Sequence, residues 1–123
     1  MYRSMLQVYV NKSDEAVAFY QEAFDAKLVA SYQNADGTYM HAELNVYGQV
    51  LAVSEAPKDE PRITGTSMQF CLHFGQGNQA MVQKAYAVLK NDATILYPLG
   101  PCPFSELMVD LIDRYGIRWC IFE

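Results

Sequence analysis

The chain has 123 residues, enough for one domain with its own core, and 51% of them are hydrophobic, which excludes a disordered chain. The formal net charge is −5 and the nine basic residues are scattered, which excludes the basic face that nucleic acid requires. Cys71, Cys102 and Cys120 are odd in number and form no CxxC pair, so they read as reduced thiols, with no disulfide framework or zinc knuckle.

No apolar run is long enough to span a bilayer, and the first residues, Met1-Tyr2-Arg3-Ser4-Met5, carry no apolar leader core. The reading is a cytoplasmic protein without a membrane partner. Residues 4–10 alternate as a strand does. Ser13 is then placed to cap a helix, with Asp14 and Glu15 in its first turn and an apolar stripe at Ala16, Phe19, Tyr20, Ala23 and Phe24. Residues 27–33 form a strand, Asp36-Gly37 a turn, and residues 39–46 and 49–54 two strands joined at Tyr47-Gly48.

Residues 55–66 carry two prolines, a glycine and a run of charges, and read as a linker between a first half at 1–54 and a second at 67–123. The plan then recurs. A strand at 67–74 precedes a helix capped by Asn78, with its stripe at Met81, Val82, Ala85, Val88 and Leu89. Residues 93–97 form a strand, 98–103 a proline-rich loop, and two further strands meet at Tyr115-Gly116. Laid over each other, residues 41–55 and 109–123 share Tyr-Gly, an apolar strand, and a Glu seven residues after the Gly. Each half reads β-α-β-β-β. The predicted fold is a single α+β domain of two such repeats, with curved, mostly antiparallel sheets round a cleft and the helices outside, and small ligands favour such clefts.

The run Glu15-Ala-Val-Ala-Phe-Tyr-Gln-Glu-Ala-Phe24, the segment His41-Ala-Glu-Leu44 before a Gly turn, and Asp113-Arg-Tyr-Gly-Ile-Arg-Trp119 together resemble the vicinal-oxygen-chelate superfamily of glyoxalases, extradiol dioxygenases and bleomycin-resistance proteins. The nearest likeness is to its PhnB-like branch. The resemblance implies a small-molecule ligand and a homodimer, in some members with exchanged halves. Metal-dependent members carry a ligand on the first and last strand of each half, and those positions here are Met5, Ala52, Met68 and Cys120. Two thioethers, a methyl and one thiol suit neither hard divalent ions nor zinc, so no metal and no cofactor is expected. No glycine-rich strand-turn-helix is present to hold a nucleotide-like cofactor, as a methyltransferase of this branch would need.

Strand alternation sets the expected site. With a two-residue turn at Tyr47-Gly48, Glu43 lies opposite Ala52, and His41, Glu43, Asn45 and Ser54 share the face away from the helix. Glu43 and His41 are the candidate acid–base pair, Glu43 with a pKa raised by burial. Gln7 and Tyr9 share the face of Met5, and Phe70, Leu72 and Phe122 are expected to supply apolar walls. Arg118 is expected opposite Asp113, as an ion pair or an anion clamp. Cys120 faces the same side as a pocket-lining thiol or a nucleophile, whereas Cys71 is read as core. Two functions follow: a metal-independent binder of a small organic molecule, or a lyase, isomerase or transferase using Glu43 and His41.

Overall fold

The computed structural model describes residues 1–123, in two compact units, Met1–Ile63 and Thr64–Glu123. The first unit holds β1 (Leu6–Val10), α1 (Ser13–Phe24), β2 (Lys27–Gln33), β3 (Tyr39–Val46) and β4 (Gln49–Glu55). The second holds β5 (Phe70–His73), α2 (Gln79–Leu89), β6 (Thr94–Cys102), β7 (Ser105–Ile112) and β8 (Arg118–Phe122). Both are βαβββ, as the repeat predicts. No helix is long and apolar enough to cross a membrane.

In the first unit the sheet order is β1-β4-β3-β2, with β1 parallel to β4 and the other pairs antiparallel. The apolar side of α1 (Ala16, Val17, Tyr20, Ala23 and Phe24) packs on this sheet, whose Val8, Val10, Leu44, Leu51 and Val53 are buried. Val17 is buried in the stripe and Phe19 only half-buried. Tyr47 (φ 51°) and Gly48 (φ 88°) both take the left-handed backbone that a two-residue hairpin turn with matching twist needs, and the Asn45 side-chain oxygen accepts the Gly48 N–H at 2.7 Å.

The second unit repeats the plan as β5-β8-β7-β6, with β5 parallel to β8. Val82, Ala85 and Leu89 of α2 are buried, as are Val109 and Leu111 of β7 and Trp119 and Ile121 of β8, the two strands on which that helix packs. Here the last hairpin differs from the first. Asp113 and Ile117 close a three-residue loop, through Asp113 N–H on the Ile117 carbonyl at 2.8 Å and Gly116 N–H on the Asp113 carbonyl at 3.0 Å, with Gly116 at φ 86°. Asp113 is buried beneath it and accepts the backbone N–H groups of Tyr115 (2.8 Å) and Ile117 (3.1 Å) and the indole N–H of Trp119 (2.9 Å).

Several boundaries depart from expectation. β6 continues through the stretch 98–102 that reads as a loop; it is an edge strand with register breaks, where proline is tolerated. Ser13 does not cap α1 with its side chain. The Glu55 carboxylate takes the backbone N–H groups of Lys12 (3.1 Å) and Ser13 (2.8 Å) instead. Asn78 sits at the start of α2 but turns its amide onto the Phe74 carbonyl, while Glu123 accepts Gly77 N–H at 3.0 Å and the Gln79 side chain at 2.8 Å. The Glu repeated seven residues after each Tyr-Gly is thus the residue that ties the last strand of each half to the start of its helix.

Candidate polar site on the first sheet

The face of the first sheet opposite α1 gathers polar side chains from three strands and the N-terminal arm. Pairing sets Gln7 beside Ala52, Tyr9 beside Ser54, and Glu43 opposite Ala52, which places all five on one face. The Gln7 amide donates to the Ser54 hydroxyl at 2.9 Å. His41 Nε2 lies 3.0 Å from Glu43 Oε1. Arg3, two residues ahead of Met5, then closes a two-pronged pair on Glu43, Nη1 to Oε2 at 2.9 Å and Nη2 to Oε1 at 2.8 Å. Tyr9 and Tyr32, 54% and 64% exposed, add two open rings, with Tyr32 6.5 Å from the His41 ring. Sequence reasoning missed Arg3. Its one signal was being the sole basic residue ahead of β1, the strand that pairs with β4 at Ala52.

The expected raised pKa of Glu43 is corrected. The carboxylate is buried, but the hydrogen bonds from Arg3, and after them that of His41, outweigh desolvation and hold it down to about 2. At neutral pH Glu43 is therefore an ionised acceptor, a poor proton donor and a weak base. Within this trio the ionised Glu43 carboxylate orients the His41 ring.

Two placements in the second unit also change. With the three-residue loop, Arg118 stands opposite Ile112, and its guanidinium reaches Asp110, Nη2 to Oδ2 at 2.8 Å and Nε to Oδ1 at 3.1 Å; Asp113 is not its partner. Asp110 pairs with Cys120 as Glu43 pairs with Ala52, so each half carries a carboxylate held by an arginine at the same sheet position. Gln69 adds a third hydrogen bond to Asp110 at 3.0 Å.

The face of β5 is inverted from expectation. Phe70 pairs with Trp119, their rings 5.3 Å apart, and Leu72 with Ile121, so both lie on the helix side and are not walls of the outer face. Cys71 pairs with Cys120 and is exposed, not core. His73 pairs with Phe122 and stacks on it at 4.5 Å. The reason is that β5 begins only at Phe70: Met68 lies outside it, 79% exposed, and alternation cannot be counted from it. Cys120 does lie on the outer face, but its thiol is pushed up to about 11, by burial first and the Cys71 sulfur next, so it is not an activated nucleophile.

A metal at the superfamily's ligand positions does not fit these residues. In the first half Met5 offers a thioether and Ala52 no donor; in the second, Met68 offers a thioether and Cys120 a thiol held protonated. An open recess of about 430 Å³ lies elsewhere in the first unit, beside Asn34, Asp36, Thr38, Pro57 and Lys58, and none of the expected site residues lines it.

Residues 4–121 match the family model of the Glyoxalase/Bleomycin resistance protein/Dioxygenase superfamily. Among solved structures, a PhnB protein from Bacillus cereus superposes with a TM-score of 0.84 at 23% identity, over 98% of each chain. Protein PA1353 from Pseudomonas aeruginosa gives 0.82 at 21% identity, over 99% of this chain and 97% of that one. The fosfomycin resistance protein FosX from Listeria monocytogenes, solved with Mn(II) and sulfate, gives 0.67 at 14% identity, over 98% of this chain and 87% of that one. At these identities the likeness is one of fold. No curated protein matches the chain.

Proposed function

The chain belongs to the Glyoxalase/Bleomycin resistance protein/Dioxygenase superfamily, and from that premise we propose that it is a metal-independent binder of a small organic molecule. The observation that carries this reading is the outer face of the first sheet, where Arg3, Gln7, His41, Glu43 and Ser54 form a hydrogen-bonded array flanked by the open rings of Tyr9 and Tyr32. Such a face suits a ligand with a flat ring and a hydrogen-bonding edge: aromatic side chains supply contact area and the polar groups set orientation. On the second sheet, Arg118, Cys120 and Phe122 share the corresponding outer face and are proposed to contact ligand in the same way; Asn45 is assigned to its turn. The protein is proposed to work as a homodimer in a reducing compartment, in keeping with its three free cysteines.

Thermal-shift screening against hydroxylated aromatic compounds tests the binding. A ligand should raise Tm by several degrees, and Gln7→Ala and Tyr32→Ala should each weaken that rise. A ligand whose effect ignores both changes overturns the site. Elemental analysis of protein purified without added metal should find no stoichiometric metal, and a full equivalent of zinc, manganese or iron overturns metal independence. Light scattering reads the dimer.

The contact between His41 and Glu43 supports a second reading, acid–base turnover of the bound molecule with His41 as the proton carrier. Glu43→Gln should then abolish turnover of any compound found in the screen while leaving the fold intact. Turnover that survives the change removes this assignment.

A further inference from the structure

We propose that Cys71 and Cys120 are a peroxide-oxidised thiol pair that closes into a reversible disulfide between β5 and β8. The two residues are direct partners in the parallel ladder, so their side chains leave the same face of the sheet at the same height. Neighbouring strands run about 4.8 Å apart, inside the span of roughly 4.4–6.8 Å that a disulfide bridges between Cα atoms. The Cys71 sulfur lies near enough to the Cys120 thiol to raise its pKa, second only to burial. They also differ as an attacking and a resolving thiol must: Cys71 is exposed and Cys120 buried. Cys102 is half-buried and pairs with Ser105 on the far side of the sheet order, β6 being the edge strand away from β5.

The chemistry balances with hydrogen peroxide as the oxidant. The Cys71 thiolate attacks one peroxide oxygen, the O–O bond breaks, and Cys71 becomes a sulfenic acid as hydroxide leaves. The Cys120 sulfur, losing its proton, attacks the Cys71 sulfur; the S–O bond breaks and the leaving hydroxide takes up that proton as water. Two thiols lose two electrons and one peroxide becomes two waters. Burial keeps the Cys120 thiol protonated near neutral pH, so closure should speed up as the pH rises toward about 11. The Cys71 end of the link is exposed, and exposed disulfides are the readily reduced ones. Closure also draws Cys71 off Gln69, whose side-chain oxygen its thiol reaches at 3.8 Å and whose amide supports Asp110 in the Arg118 pair. The pair therefore couples oxidation to the outer face of the second sheet.

Reduced protein treated with a small excess of hydrogen peroxide should lose two hydrogen atoms in intact mass. Non-reducing peptide mapping should show Cys71 linked to Cys120, and dithiothreitol should reverse both. Cys102→Ser should behave as the unaltered chain. Cys120→Ser should instead accumulate a sulfenic acid at Cys71 that a cyclic 1,3-diketone traps. Cys71→Ala, at an exposed position that leaves the core untouched, should leave Cys120 unmodified. A link through Cys102, a Cys120 that oxidises without Cys71, or a peroxide-treated protein with no Cys71–Cys120 peptide overturns the proposal.

Discussion

Glu55 accepts both the backbone N–H and the hydroxyl of Ser13, each at 2.8 Å, and the Ser13 oxygen in turn accepts the Tyr39 N–H at 2.8 Å. One carboxylate therefore joins the end of β4, the start of α1 and, through Ser13, the start of β3. A helix start leaves backbone donors without partners, and its dipole favours a negative charge there. Glu55→Ala should cost about 1 kcal/mol, in the range of a lost N-terminal cap, read as a lower midpoint in urea with an unchanged slope. Glu123→Ala should cost a similar amount through Gly77 and Gln79. A change within error at both positions would show that water replaces them without loss.

Asp113 is the polar centre of the last hairpin. Its donors include the indole of Trp119, which is 1% exposed. Asp113→Ala strands that buried N–H and should cost about 1–3 kcal/mol, the penalty for a buried donor left unmade. Trp119→Phe removes the stranded donor, so the double change should cost less than the sum of the two single ones. Strict additivity in denaturant melts would sever the link between these residues.

The Tyr47-Gly48 turn allows a narrower test. A methyl group on Gly48 meets nothing within 4 Å, so Gly48→Ala is opposed only by its backbone at φ 88°. Holding a side chain in that region costs roughly 1–2 kcal/mol. Loss of that size, with ligand binding retained, locates the effect in the turn. A neutral outcome shows that the hairpin relaxes to another turn.

Tyr47-Gly48 and the loop at Gly116 also show what the sequence could and could not disclose. Turn residues, helical stripes and strand alternation are local, so the element order of both halves and the faces of Glu43, His41 and Ser54 were legible. A loop longer by one residue was not, because Tyr-Gly fits both hairpins. That single residue moves Arg118 from Asp113 to Asp110 and hides the match between Asp110 and Glu43. The face of β5 was lost in the same way, by counting alternation through residues that precede the strand. Arg3 was lost for another reason: its partner is forty residues away, and an arm outside any element carries no periodicity to follow.

That unforeseen arm controls the acid behaviour of the first sheet. Arg3 leads, with His41, in drawing the Glu43 carboxyl from an ordinary 4.5 to about 2. A carboxyl with a lowered folded pKa binds fewer protons folded than unfolded. Its contribution to stability is therefore complete above about 4.5 and disappears as the pH falls from there to about 2. Arg3→Ala leaves only the His41 contact, so the Glu43 midpoint, followed by carbon-detected NMR, should climb toward the ordinary carboxylate range. The loss of stability in that acid window should shrink with it. By the same linkage, near-neutral stability should fall by as much as that acid-window loss shrinks, while the two chains converge below about 2, where Glu43 is protonated in both. An unmoved Glu43 midpoint would mean that the arm does not hold the carboxylate in solution, and it would remove Arg3 from the site.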